Sequence, residues 1–158
     1  SFHQRRSSAP LERKIAQEGV LLYNGQNQNR EWFDIAGMDL ASAEYLLGMH
    51  PLPIEIICYH CAQAAEKTKG HFKGTLASFG LEPPRSHDLV QLCKLCCQTD
   101  PEFEQLANAC VELTPYGVQF RYTSDLELTE EDAERALQEC RIIRAFVEQH
   151  TLSQEENA

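Results

Sequence analysis

Along most of the chain, hydrophobic positions recur at steps of three and four, the period of a helix with one buried face. Residues 1–14, SFHQRRSSAPLERK, are basic and polar without that period and read as a tail. Residues 15–23 form a short amphipathic or extended piece, which the turn-prone NGQNQN at 24–29 is expected to end. From Arg30 onward, Trp32, Ile35, Ala36, Leu40, Ala43, Leu46 and Leu47 predict a first helix that GMHPLP stops. Ile54, Ile57, Cys58, Cys61, Ala65, Phe72, Leu76 and Phe79 share about a third of a helical wheel, which predicts one long second helix. FGLEPPRS breaks it, and Ser86 is placed to cap a third helix bearing Leu89, Val90, Leu92, Cys93 and Cys96. Asp100 as N-cap and Pro101 at the first helical position predict a fourth, with Phe103, Leu106, Ala107, Cys110 and Leu113 inward. After the connector TPYGVQFRYTSDLEL, Thr129 and Asp132 make a capping-box pattern for a fifth helix carrying Ala133, Ala136, Leu137, Cys140, Ile143 and Val147. No stretch alternates as a strand should. The fold expected is all-α, an up-and-down bundle of four to five helices.

Size and charge narrow what such a bundle does. The 158 residues suit one domain with its own core. The expected division is a tail and linker at 1–29, a helical domain at 30–150 and a flexible tail at 151–158. A formal net charge of −10 repels phosphate backbones unless positive charge is concentrated locally, so nucleic acid is not the expected partner. The N-terminus has no apolar signal region and no apolar run approaches the roughly 20 residues of a membrane span, so a soluble, cytoplasmic protein without membrane attachment is expected.

Seven cysteines, an odd number, do not resemble a secreted disulfide framework. Cys58/Cys61 and Cys93/Cys96 have the Cys-x-x-Cys spacing of zinc or redox pairs. Neither pair has the Gly or Pro of a zinc knuckle, and neither lies at a helix start after a strand, where a redox pair is activated. All four fall in apolar stripes, so they are expected to be reduced packing residues, with no metal site and no cofactor.

Lys69 is different. On the wheel of the second helix it projects into the edge of the apolar stripe, flanked by Glu66 and Lys73, and a charge there needs a partner. One reading is an internal ion pair with Asp39, Glu66 or Asp88. The other is a groove in which Lys69, Lys73, His87 and Arg121 converge on an anion.

The segments EWFDIAGMDLASAEYLL, CYHCAQAAEKTK, RSHDLVQLC, LTPYGVQFRY and LTEEDAERALQECRIIRAFV, in that order over residues 31–148, resemble the HEPN domain. The resemblance implies a helical bundle that commonly dimerises, in a family whose members bind nucleotides, cut RNA as toxins or partner small nucleotidyltransferases. Its typical polar positions fall on Asp39, Gln63, Glu66, Lys67, His87, Asp88, Arg121 and Tyr122. Ribonuclease members carry an Arg and, a few residues on, a His near the start of the last long helix; here YTSDLEL follows Arg121 and holds no His. Arg144 and His150 match that spacing but lie at the far end of the final helix. LERKIAQEGVLLYNG at 11–25 is similar to the closing segment of small nucleotidyltransferase domains, whose Gly-Ser and Asp-x-Asp metal pair the chain lacks. The expectation is a HEPN module without catalytic residues in a toxin-antitoxin-like system. It would be a homodimer, with a nucleotide and/or a nucleotidyltransferase as partners and Glu66, Lys67, Lys69, Lys73, His87, Arg121 and Tyr122 as ligand-binding residues. The alternative is a metal-independent ribonuclease toxin.

Overall fold

The computed structural model describes residues 10–117 and 127–157, with side chains described from residue 28. The described residues form α1 (Pro10–Leu46), α2 (Ile54–Glu66), α3 (Lys69–Ser78), α4 (Leu89–Thr99), α5 (Ala107–Leu113) and α6 (Glu130–Glu156), with no strand among them. Short 3-10 helices at Pro101–Leu106 and Thr114–Gly117 flank α5. The expected all-α bundle is what forms. Its centre is α2, which packs against α1, α5 and α6. Ile57, Cys58, Cys61, Phe72, Leu76, Leu92, Phe103, Leu106, Leu113, Leu137 and Ile143 meet in one continuous core. None of the described helices is long and apolar enough to cross a membrane.

Several boundaries differ from the sequence reading. The turn expected at 24–29 is absent: α1 continues through it. A single Gly in a helix interior costs only about 1 kcal/mol, and with no Pro in the segment nothing forces the backbone out of helix. On α1, Ala36, Leu40 and Ala43 are buried as expected, whereas Trp32 and Ile35, and Leu47 just past its end, are exposed. Of the flexible tail expected at 151–158, residues 151–156 are the end of α6, with the Thr151 hydroxyl donating to the Val147 carbonyl at 2.7 Å.

The predicted long second helix is two helices. At the join the buried Thr68 donates its hydroxyl to the Ala65 carbonyl at 2.6 Å, the local competition with the helical ladder that Thr offers. The break shifts the helical phase, and Phe79, expected inward, is 54 % exposed. Past it, Gly80 at φ +78° ends α3: its N–H reaches the Ala77 carbonyl and the Leu81 N–H reaches that of Leu76, a left-handed cap that a side chain would strain.

The cap of α4 is Asp88, which accepts from the Val90 N–H at 3.0 Å. Ser86, the expected cap, instead accepts from the Asp88 N–H at 3.0 Å. Asp100 caps the next segment as predicted, accepting from the Glu102 N–H, though Pro101–Leu106 winds as a 3-10 helix before α5 begins. The Thr129–Asp132 capping box at the head of α6 is formed in both directions.

The cysteines behave as small hydrophobes. All seven are free thiols and all but Cys97 are buried. Cys93 and Cys96 donate to the Phe103 and Phe72 carbonyls, at 3.5 and 3.3 Å. Burial pushes the Cys58 and Cys96 thiols up to about 12, which keeps both protonated near pH 7.

Candidate functional site

The splitting of the second helix decides where the charges of AAEKTKGHFK go. Glu66 and Lys67 leave the end of α2 in different directions, and Lys69 starts α3 on a new phase. Lys67 reaches back to α1 and pairs with Asp39, whose other carboxylate oxygen lies 3.1 Å from His60 Nδ1. Asp39 is thus enclosed by one lysine and one imidazole in a half-buried network that ties α1 to α2. Lys67 belongs to that network and is not free to meet a ligand.

Lys69 takes none of the three carboxylates proposed for it. Its Nζ lies 3.0 Å from His87 Nδ1, and because an ammonium can only donate, His87 accepts the hydrogen bond at Nδ1. Beside this pair a cavity of about 260 Å³ opens between the end of α2, the start of α4 and the end of α5. Ala62, Ala65, Leu89 and Leu113 form its apolar floor, while Glu66, His87, Asp88 and Thr114 supply the polar groups. The Gln63 side-chain amide donates to Glu66 Oε2 at 3.2 Å and steadies that carboxylate. Gly117 closes one wall, where a Cβ would stand 3.5 Å from Ala62 Cβ and 3.7 Å from Glu66 Oε2.

The predicted site residues therefore separate. Glu66 and His87 line the cavity and Lys69 stands behind His87. Lys67 is turned away, and Lys73, half-buried on α3, is not among the lining residues. Arg121 and Tyr122 lie outside the described residues. Within the described wall the polar groups are two carboxylates, one imidazole and one hydroxyl, so hydrogen-bond acceptors outnumber cations. A wall of that kind suits hydrogen-bond donors better than a bare anion.

Arg144 and His150 turn to different partners. Arg144 stacks its guanidinium 3.9 Å above the Phe33 ring and donates to the Phe33 carbonyl at 2.9 Å, bolting α6 to α1. A Cβ at Gly37 would stand 2.8 Å from this guanidinium, so the small residue is what lets the arginine lie against α1. His150 turns elsewhere: Nε2 is 3.1 Å from Asp100 Oδ2 and Nδ1 is 2.8 Å from His71 Nε2. Burial, and then the charge of His150, hold His71 down at about 4, so its ring is neutral near pH 7.

The sequence reading missed this histidine pair. His71 and His150 are 79 positions apart and share no motif. One signal was present: His150 continues the Cys140, Ile143, Val147 stripe at the next helical step, a buried position where a titratable side chain needs a reason.

Comparison with known proteins agrees with this architecture. No curated protein sequence matches the chain. The crystal structure of TT1696 from Thermus thermophilus is similar, with a TM-score of 0.55 and 27% identity, over 78% of this chain and 98% of that one. The family model described as the HEPN domain matches residues 29–150, a span that takes in the core, the cavity and both histidines, and the chain belongs to the HEPN domain family.

Proposed function

We propose that this HEPN domain is a non-catalytic binding module that takes a nucleotide in the cavity between α2, α4 and α5 and partners a nucleotidyltransferase in a toxin-antitoxin-like system. The observation that carries the reading is the cavity wall itself. In this reading Glu66 and Asp88 accept from ribose hydroxyls or an exocyclic amine, and His87, backed by Lys69, serves the phosphate end. Arg121 and Tyr122, close in sequence to Gly117 at the cavity wall, supply a bidentate phosphate contact and a stacking ring in the same reading. The engagement of Arg144 with Phe33 favours binding over RNA cleavage, since the one Arg–His pair of suitable spacing has its arginine committed to α1.

Calorimetry with ATP, GTP and their monophosphates is expected to show binding, weakened by about 1 to 3 kcal/mol in His87→Ala and Arg121→Ala, the scale of a lost charge-assisted contact. No heat from any of the four with the unaltered protein would end the nucleotide reading. Cleavage of labelled RNA that disappears in Arg144→Ala would establish the ribonuclease alternative in its place.

The same reading includes a homodimer. Trp32, Ile35, Met38 and Tyr45 are exposed along one flank of α1, at 49, 46, 69 and 86 %. Burying such a flank against a second copy removes apolar surface worth about 25 cal/mol per Å². Light scattering at micromolar concentration should give twice the 18.0 kDa chain mass. A mass of one chain there, unchanged in Trp32→Glu, would remove the dimer from the proposal.

A further inference from the structure

We propose that His150, Asp100 and Glu102 form a binding site for a divalent transition-metal cation of the Zn²⁺ or Mn²⁺ kind, with His71 as the residue that orients the ligating imidazole. The site uses none of the residues that line the nucleotide cavity and does not depend on that reading.

The inference starts from where protons sit in a chain of hydrogen bonds outside the three ligands. The single hydroxyl proton of Thr151 is given to the Val147 carbonyl at 2.7 Å. Toward His71 Nδ1, 3.5 Å away, Thr151 Oγ1 can therefore only accept, which puts the His71 N–H at Nδ1. His71 Nε2 is left with a lone pair, and it faces His150 Nδ1 at 2.8 Å, which must then be the donor. The remaining nitrogen of His150, Nε2, is directed at the Asp100 carboxylate at 3.1 Å. The approach of Nε2 to Oδ2 marks a place between them for a cation, the shared proton or a metal ion in its stead.

The geometry suits the metal. Zinc–nitrogen and zinc–oxygen bonds of about 2.0 to 2.2 Å put two ligand atoms of one ion roughly 3 Å apart or slightly more. Ligand atoms of Asp100, Glu102 and His150 all lie within 4.8 Å of one another, and among the described residues they form the group so placed. Glu102 is exposed and can close on an ion by rotating its own side chain, while Asp100 Oδ1 is held by the Glu102 N–H and leaves Oδ2 for the metal. Glu102 and His150 also line a cavity of about 540 Å³ through which an ion and its remaining waters can enter. A ligating imidazole nearly always donates its other N–H to a fixed acceptor, and His71 is that acceptor here. Phe103 and Phe146 wall the rings, with Phe146 stacked on His150 at 5.3 Å and 14°. One imidazole with two carboxylates is a mixed set that favours Zn²⁺ or Mn²⁺ over Ca²⁺ or a thiolate-seeking ion. A chain of net charge −10 adds a long-range attraction for cations.

The test uses the full chain, stripped with EDTA and titrated with ZnCl₂, MnCl₂ and CoCl₂. One ion per chain should bind, and the cobalt form should show d–d bands without the near-ultraviolet band of sulfur-to-cobalt charge transfer. Because His150 is buried and its replacement can disturb the fold, the deciding variant is the exposed Glu102→Gln. It should bind at least about tenfold more weakly while the metal-free melting temperature stays unchanged. His71→Gln should weaken binding by about 10- to 100-fold, the usual effect of losing an orienting partner. Absence of binding, a sulfur charge-transfer band, or unchanged affinity in Glu102→Gln would each overturn the proposal.

Discussion

Phe103→Ala is expected to lower the unfolding free energy by about 3 to 5 kcal/mol, the range for deleting a fully enclosed aromatic ring. Phe103 is 0 % exposed and stands where three parts of the bundle meet. Its ring lies edge-on to Phe72 of α3 at 5.4 Å, to Phe146 of α6 at 4.9 Å and to His150 at 5.1 Å, and stacks with His71 at 6.4 Å. Its carbonyl also accepts from the Cys93 thiol. Removing the ring leaves a cavity at this junction, and the less its walls relax the nearer the cost lies to the upper end of the range. Urea unfolding followed by circular dichroism measures it. A loss under about 1 kcal/mol would mean that this junction is far looser than its packing implies.

Acid should destabilise the metal-free protein through His71 by about 3 kcal/mol. The ring titrates near 6.5 in the unfolded chain and at about 4 in the fold, chiefly because burial opposes its charge, and a shift of that size corresponds to about 3 kcal/mol. With a histidine whose folded value is depressed, the unfolded state binds the proton first. Stability is therefore complete above pH 6.5, falls progressively between 6.5 and 4, and is flat in this contribution below that. The test compares wild type with His71→Gln in EDTA, measuring urea midpoints from about pH 7.5 to 4. Wild type should lose about 3 kcal/mol more than the variant across that window, since carboxylate titration is common to both. Parallel curves would show that the His71 ring tolerates a charge in the fold.

Both predictions rest on the meeting of segments that are distant in sequence, and the same division runs through the rest of the molecule. The three- and four-residue spacing of apolar residues determined the class of fold, the inward face of α4, most of α2 and nearly all of α6, because helical periodicity is local and burial follows it. Capping chemistry was equally legible at Asp100 and Thr129, where a side chain and the backbone it serves are two or three residues apart. The polar residues shared with the HEPN family identified Glu66 and His87 of the cavity wall.

Other features were decided only when the chain packed. Whether Gly25 and its asparagine neighbours would turn or continue the helix is a balance of about 1 kcal/mol, below what composition alone can resolve. The break at Thr68 depends on a hydroxyl choosing the Ala65 carbonyl, and the new phase of α3 places Lys69 on His87 rather than on a carboxylate. Lys67 pairs with Asp39, 28 positions away, because α1 lies against α2. His71, Asp100 and His150 come from α3, the α4–α5 junction and the end of α6, and nothing in their local sequence relates them. A sequence specifies local periodicity residue by residue. Which charges meet across the bundle is set by the relative rotation of its helices, and that rotation is chosen by the packing of the core as a whole.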